Sequence, residues 1–182
     1  SEHPCFIGAL SRNQKQVRGV LEPFDLMIVV GGDVLRMSVW DEVDPMPENL
    51  PIIQIGLNDW EMGKNYATEM AIGSDVRETL RALTPIMKER GGPALSDAAT
   101  KRIAALSGKN WTANRAKLIE KIKTEDTDSP ISPDWLMLQI HEALPENGIV
   151  VNEGVTASRY LNDIHPYRER HDFHGLASGG IG

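Results

Sequence analysis

Three short apolar runs, each followed directly by glycine, constrain the fold of this chain more than any other feature of its sequence. The runs are Leu26–Val30 before Gly31, Pro51–Ile55 before Gly56, and Thr68–Ile72 before Gly73. Leu26–Val30 is a continuous apolar run, which is typical of a strand that is buried on both faces in a parallel sheet, and the other two segments are predicted as the next strands. Helical spacing alternates with such runs, so the sequence predicts a doubly wound, Rossmann-like α/β sheet.

Helical periodicity and caps divide the rest of the chain. Helices are predicted over residues 12–22, from Ser74 or Asp75 to the break at residues 91–93, over 96–124 with a division at Gly108, over 133–144, and over 156–163. The acidic segment at residues 125–130 predicts a boundary. A fourth strand, Ile149–Val151, follows that boundary, so we expect a second α/β region there.

Composition excludes several classes of function. The 182 residues carry a formal net charge of -7, whereas a protein that binds the phosphate backbone of nucleic acid needs a basic surface. No apolar run approaches the 18 residues of a membrane span, and no apolar leader opens the chain. The single cysteine, Cys5, permits no internal disulfide and favours a reducing compartment. We therefore expect a soluble, cytoplasmic protein that binds neither nucleic acid nor membrane.

Two local patterns have both an ordinary and a functional interpretation. Gly31-Gly32-Asp33 follows a predicted strand, where phosphate groups bind in many α/β folds, but it matches no nucleotide fingerprint, and a tight turn is favoured.

His165, His171 and His174 lie within ten residues of one another, and such a cluster suggests a metal site. Their spacing fits no standard ligand pattern, so a solvated polar loop is favoured there and no metal ligand is assigned.

Four segments together carry a resemblance to a known family. They are His3-Pro4-Cys5-Phe6, Asp25–Gly32, Asn152–Thr156 and Ser178–Gly182. They resemble the thiamine-diphosphate-dependent 2-oxo acid decarboxylases and carboligases, and within that family most closely the benzoylformate decarboxylases. The resemblance covers residues 3–83 and 132–182, whereas residues 84–129 match poorly.

The resemblance implies that this chain is part of a larger enzyme. Enzymes of the family have three α/β domains, of which the first holds a glutamate that activates the cofactor and the third binds Mg2+ through a Gly-Asp-Gly…Asn motif. Residues 1–92 would be the later part of the central Rossmann-like domain, residues 93–130 a helical linker, and residues 131–182 the start of the diphosphate-binding domain. The activating glutamate and the metal motif lie outside the chain, so the 182 residues alone are not expected to be active.

The resemblance also implies roles for five residues toward thiamine diphosphate. Val155 and Thr156 would lie beside the diphosphate, in a turn before a helix whose N–H groups favour anions. The carbonyl of Gly179 would accept a hydrogen bond from the cofactor's 4′-amino group, and Gly180 would allow the close approach of backbone and cofactor. Ile181 would wedge between the two rings of the cofactor and hold its bent conformation.

The reaction implied is the non-oxidative decarboxylation of a small 2-oxo acid through the cofactor ylid, in a homo-oligomer that is a dimer or tetramer at full length. Ser38 stands where the benzoylformate decarboxylases have a histidine that moves protons, and a serine cannot do this near neutral pH. Ser38 is therefore only a candidate on the substrate side. An acetolactate-synthase-like carboligase is one alternative function, and a stand-alone Rossmann-like nucleotide-binding module is another.

Overall fold

The computed structural model describes residues 1–37, 39–125, 130–154 and 156–175. The chain folds as two compact units. We call Leu10–Ser96 the N-terminal unit, and Ser1–Ala9 together with Asp97–Gly182 the C-terminal unit. Each unit has its own hydrophobic core, so each is described by itself.

The N-terminal unit is built on a three-stranded parallel sheet in the order β1-β2-β3. Its elements are helix α1 (Gln14–Leu21), strands β1 (Met27–Val30), β2 (Ile52–Gly56) and β3 (Met70–Gly73), a 3-10 helix (Asp59–Glu61), and the start of helix α2 (Val76–Leu106). The three apolar runs of the sequence are thus the three strands, in parallel register. The predicted α/β fold class, with parallel strands and flanking helices, is confirmed.

One face of this sheet packs on α1. The Asn13 side chain caps α1 by accepting a hydrogen bond from the Gln16 N–H at 3.0 Å. Val17 and Leu21 of α1 are buried against this face of the sheet, where the core also includes Val29 and further apolar side chains. The Asn13 cap therefore sets where α1 begins, and the spacing of its apolar residues sets which side of the helix is buried.

Burial on the opposite face differs from the prediction. The central strand β2 is buried along most of its length, but Ile28 of β1 is 50% exposed and Met70 of β3 is 52% exposed. In a sheet of three strands β1 and β3 are both edge strands, so each has a neighbouring strand on one side only. The expectation that β1 is buried on both faces is therefore wrong, and β3 is likewise exposed at Met70.

Helix α2 contains a break at the predicted position. Asp75 caps its first turn by accepting a hydrogen bond from the Glu78 N–H at 3.0 Å. At Gly92 the backbone has φ 54 and ψ -157, which is not helical, and helical geometry then resumes as far as Leu106. The glycine pair before Pro93 thus interrupts the helix, as the sequence predicts, because glycine tolerates this conformation.

The C-terminal unit is built from helices on a short parallel sheet. Its elements are helix α3 (Trp111–Thr124), helix α4 (Pro133–Ala143), strand β4 (Val150–Asn152), a 3-10 helix (Ala157–Tyr160), helix α5 (Leu161–Ile164) and strand β5 (Phe173–Gly175). Helix α4 begins with proline, as predicted. The core joins α3, α4 and α5 through Ile122, Leu138, Leu161 and Ile164. Among the described residues, no helix is long and apolar enough to cross a membrane.

The predicted helix over residues 156–163 is wrong in form. The segment is a four-residue 3-10 helix followed by the single α turn of α5. The boundaries predicted at residues 92 and 130 stay predictions. The two compact units divide the chain at Ser96 and Asp97, and the first nine residues lie with the C-terminal unit.

Candidate functional site

The carboxyl ends of β4 and β5 lie side by side in the C-terminal unit. The two strands are parallel, and their register pairs Val150 with Phe173 and Asn152 with Gly175. Parallel strands in α/β folds present ligand sites at their carboxyl ends. The turn after Asn152 and the chain that follows Gly175 therefore start from neighbouring points on one edge.

The turn that follows strand β4, which we call the β4 turn, contains Gly154, Thr156 and Ser158. Hydrogen bonds with neighbouring side chains stabilise it. The Gly154 N–H donates to Asn152 Oδ1 at 2.9 Å, and the Ser158 hydroxyl donates to the Gly154 carbonyl oxygen at 2.6 Å. Thr156 follows in this turn and is exposed. The turn therefore has a fixed backbone at Gly154 and an exposed hydroxyl at Thr156.

The β4 turn can bind a phosphate, but not through a helix N-terminus as expected from the sequence. The 3-10 helix after Thr156 has only four residues, so it supplies little of the helix dipole that the sequence analysis invoked. The Gly154 N–H already donates to Asn152, so the donor that the described residues offer is the hydroxyl of the exposed Thr156. A hydroxyl can donate to a phosphate oxygen, so Thr156 fits a diphosphate without a helix N-terminus.

Most of the residues assigned by resemblance lie outside the described part of the chain. These are Ser38, Val155, Gly179, Gly180 and Ile181. Thr156 is described, and its place at the β4–β5 edge is consistent with its assigned role. The surroundings of the other five residues are known only from the described residues nearest to them in the sequence.

The three residues before Ser38 help to line a cavity in the N-terminal unit. Leu35, Arg36 and Met37 line a cavity of about 480 Å³ together with Asp44 and Tyr66. Burial, and secondarily the charge of Asp44, raise the pKa of Tyr66 above its ordinary value. The phenol therefore stays protonated at neutral pH and can donate a hydrogen bond within this cavity.

The glycine pair after β1 forms a turn and a small cavity. Gly31 has a φ of +72, and its N–H donates to the Ile55 carbonyl oxygen at 2.8 Å. The cavity beside it measures about 80 Å³, whereas a cavity of several hundred Å³ holds a typical small-molecule ligand. Asp33 and Glu61 line it with negative charge. These features favour the tight-turn interpretation over a nucleotide site.

The histidines fall into two separate groups. His165 contacts His141 of α4, with 3.1 Å between their Nδ1 atoms, and not His171 or His174. The rings of His171 and His174 stack with 6.1 Å between centroids. No group of three or more metal-ligating side chains with the geometry to hold a metal ion occurs within the described ranges. The absence of a metal site therefore stays a prediction, and His165 is partly buried against His141 while β5 begins at Phe173.

An arginine fixes the protonation of the histidine pair. Arg115 Nη2 lies 3.0 Å from His141 Nε2 and can only donate, so His141 Nε2 must be the acceptor. The proton of neutral His141 is then on Nδ1 and is donated to His165 Nδ1. This directed chain joins α3, α4 and the segment after α5.

Burial is the main cause of lowered pKa values at both histidines. At His141, the charge of Arg115 and the contact with His165 lower the pKa further. At His165, Arg168 and Arg115 also lower the pKa, while Asp172 opposes them. Both rings are therefore neutral at pH 7, as the hydrogen-bond chain requires.

A cavity of about 630 Å³ adjoins this pair at the amino ends of β4 and β5. Its arginines are Arg115 and Arg168, and Arg168 already binds Glu2 with its Nε 3.1 Å from Oε2. Its lining also includes Glu146, Glu169 and Asp172. Carboxylates outnumber arginines in the lining, so the cavity does not favour an anion.

Sequence reasoning missed the residues that hold the β4 turn and the histidine chain. Ser158 and Asn152 act through hydrogen bonds to one glycine, and short polar residues in turns often do so. The pairing of Arg115 with His141 joins positions 26 residues apart, and no local pattern predicts it.

Part of the chain matches a family of known proteins. Residues 1–83 match the family model described as the thiamine pyrophosphate enzyme central domain. The chain is 25% identical over 150 residues to the "putative thiamine pyrophosphate-containing protein YdaP" of Bacillus subtilis (strain 168), which is 82% of this chain and 23% of that protein.

Two solved structures share the fold. The thiamine diphosphate-dependent 4-hydroxybenzoylformate decarboxylase of Rhodococcus jostii RHA1 superposes with a TM-score of 0.64 at 18% identity, covering 98% of this chain and 30% of that one. A "putative thiamin diphosphate-dependent enzyme" of Mycobacterium smegmatis superposes with a TM-score of 0.65 at 20% identity, covering 100% and 31%. The chain thus spans less than a third of each relative, and these matches confirm the resemblance drawn from the sequence.

Proposed function

We propose, from the membership of residues 1–83 in the thiamine pyrophosphate enzyme central-domain family, that this chain is a segment of a thiamine-diphosphate-dependent enzyme that acts on a 2-oxo acid. The observation that carries the proposal is the β4–β5 edge. The two segments that the resemblance assigns to the cofactor, Asn152–Thr156 and Ser178–Gly182, follow strands that end beside each other. The described ends of these strands, Asn152 and Gly175, are register partners, and this supports a cofactor site at that edge.

The residues of the chain have distinct tasks in this proposal. Thr156 binds a diphosphate oxygen through its hydroxyl, and the backbone of the β4 turn is held ready by Asn152 and Ser158. By the resemblance, the Gly179 carbonyl would accept a hydrogen bond from the cofactor's amino group, Gly180 would allow its close approach, and Ile181 would pack against its rings. When bound, thiamine diphosphate supplies the electron sink that accepts the electron pair left as CO2 departs. Mg2+ is held by residues outside this chain.

The proposed reaction is a non-oxidative decarboxylation of the benzoylformate-decarboxylase type. It is supported by the resemblance and by the fold shared with a protein named as a 4-hydroxybenzoylformate decarboxylase. An acetolactate-synthase-like carboligase is the second candidate. Ser38 counts against the decarboxylase without proving the carboligase, because a serine stands where the benzoylformate decarboxylases have a histidine that moves protons.

The experiment uses the full-length protein with thiamine diphosphate and Mg2+. Benzoylformate and pyruvate are supplied separately, and CO2, aldehyde and 2-hydroxy ketone are measured. Aldehyde as the main product supports the decarboxylase, and 2-hydroxy ketone or acetolactate supports the carboligase. Failure to release CO2 from any 2-oxo acid tested would contradict both.

Partners and location are part of the same proposal. The substrate is a small 2-oxo acid, and the full-length enzyme is a cytoplasmic homo-oligomer, either a dimer or a tetramer, that binds neither nucleic acid nor membrane. The acidic net charge of -7 and the single cysteine support this proposal. Light scattering of the full-length protein measures the subunit count, and a monomer would contradict the oligomer.

A further inference from the structure

The backbone of Gly154 is bound on both sides by side chains of its own turn. Its N–H donates to Asn152 Oδ1 at 2.9 Å, and its carbonyl oxygen accepts from the Ser158 hydroxyl at 2.6 Å. Ser158 is one of two buried polar residues among those described, at 9% exposed. The turn therefore has a preferred conformation, set by side chains on both sides of it.

Packing requires a glycine at residue 154. A Cβ atom on residue 154 would lie 2.6 Å from Ser158 Oγ and 2.7 Å from Ser158 Cβ. Such distances are far inside van der Waals contact, so any side chain at residue 154 would displace Ser158. The small residue and the buried hydroxyl thus form one matched pair.

We propose that Asn152 and Ser158 are positioning residues, which hold the β4 turn in the conformation in which Thr156 binds the cofactor diphosphate. This inference rests on the proposed function. Neither side chain is assigned a contact with the cofactor, because the hydrogen bonds on which the inference rests go to Gly154. These hydrogen bonds order the turn before thiamine diphosphate binds. The free-energy cost of ordering the turn is therefore not subtracted from the affinity for the cofactor.

The test compares two serine variants of the full-length protein. Ser158→Ala removes the hydrogen bond to Gly154. Ser107→Ala removes a bond of the same kind, from a serine hydroxyl to the Ala104 carbonyl oxygen at 2.8 Å, at the end of α2. The Kd of thiamine diphosphate with Mg2+ is measured by calorimetry, and the unfolding temperature is measured without cofactor.

We expect Ser158→Ala to raise the Kd of thiamine diphosphate roughly fivefold, the typical value of one hydrogen bond, and Ser107→Ala to leave it unchanged. A merely structural role predicts a lower unfolding temperature at an unchanged Kd, and that result would overturn the inference. If Ser158→Ala does not fold, Asn152→Ala removes the other hydrogen bond of the turn and is judged by the same Kd.

The same measurements distinguish a failure of the proposed function from a failure of the positioning role. If the wild-type protein does not bind thiamine diphosphate in the presence of Mg2+, the proposed function is wrong and this inference falls with it. If the wild type binds and Ser158→Ala binds equally well, the proposed function stands and only the positioning role is wrong.

Discussion

At the residue scale, one buried amide shows how the sheet of the N-terminal unit is joined to its loops. Gln54 of the central strand β2 is 2% exposed. Its Oε1 accepts hydrogen bonds from the Gly63 N–H and the Thr68 hydroxyl, both at 2.7 Å. A polar residue within an apolar strand therefore fastens the loop that leads into β3.

We expect Gln54→Leu to loosen this loop. The change leaves the Gly63 and Thr68 donors without their acceptor, at a cost of about 1–3 kcal/mol. Hydrogen exchange of the full-length protein should show faster exchange in peptides covering residues 57–69. Gln16→Leu, at an exposed position of α1, is the control and should leave that exchange unchanged. Equal protection in Gln54→Leu and the wild type would contradict the role of Gln54.

The histidine pair makes the C-terminal unit sensitive to acid. Burial lowers the pKa of His141 and of His165 below the ordinary value of 6.5, so the unfolded chain binds more protons than the folded chain as the pH falls through this value. Stability is then fully present above about pH 6.5 and is lost progressively below it. Thermal unfolding of the full-length protein from pH 7.5 to 5 should show this loss.

Substitution identifies the source of the acid sensitivity. His165→Gln should reduce the loss of unfolding temperature on acidification, because one of the two groups that must gain a proton is gone. His174→Gln, at an exposed position, should keep the wild-type pH dependence. Identical pH profiles for the wild type and His165→Gln would show that the pair is not responsible.

At the scale of elements, glycine has opposite effects in two helices. Gly92 has a φ of 54 and a ψ of -157, which only glycine adopts readily, so Gly92→Ala should destabilise α2 by about 1–3 kcal/mol. Gly19 lies inside α1 with open space around it, so Gly19→Ala should stabilise the protein by about 0.5–1 kcal/mol. Urea unfolding followed by circular dichroism measures both. Changes of the same sign would contradict this difference.

The sequence predicts the strands of the N-terminal unit but not the form of every helix. Apolar runs ending in glycine identified β1, β2 and β3, because buried parallel strands require such runs. Periodicity failed for residues 156–163, where hydrogen bonds of Ser158 and the packing of Leu161 and Ile164 decide between 3-10 and α geometry. Tertiary contacts of this kind leave no local pattern.

The same limit applies to the candidate site. The resemblance predicts a role for Thr156, because a short motif lies in one turn of the chain. It did not identify Ser158, because that residue acts on Gly154 through a buried hydrogen bond and not through a position in the motif. The register of β4 with β5 is likewise a long-range pairing, and it places Asn152 beside Gly175.

At the scale of the whole molecule, the proposed function makes the chain one part of a larger cofactor site. It spans less than a third of the relatives with which it shares its fold. The proposed metal ligands and the activating glutamate lie elsewhere, so the isolated 182 residues should bind thiamine diphosphate far more weakly than the full-length protein. Calorimetry on both measures this difference, and equal, Mg2+-dependent affinities would contradict it.

The most direct test of the account is an experimental structure of the full-length protein with thiamine diphosphate and Mg2+. The account predicts the diphosphate within hydrogen-bond distance of Thr156, and the bent cofactor between the β4 turn and the segment Ser178–Gly182. A cofactor bound away from the β4–β5 edge, for example beside Gly31 and Gly32, would contradict it.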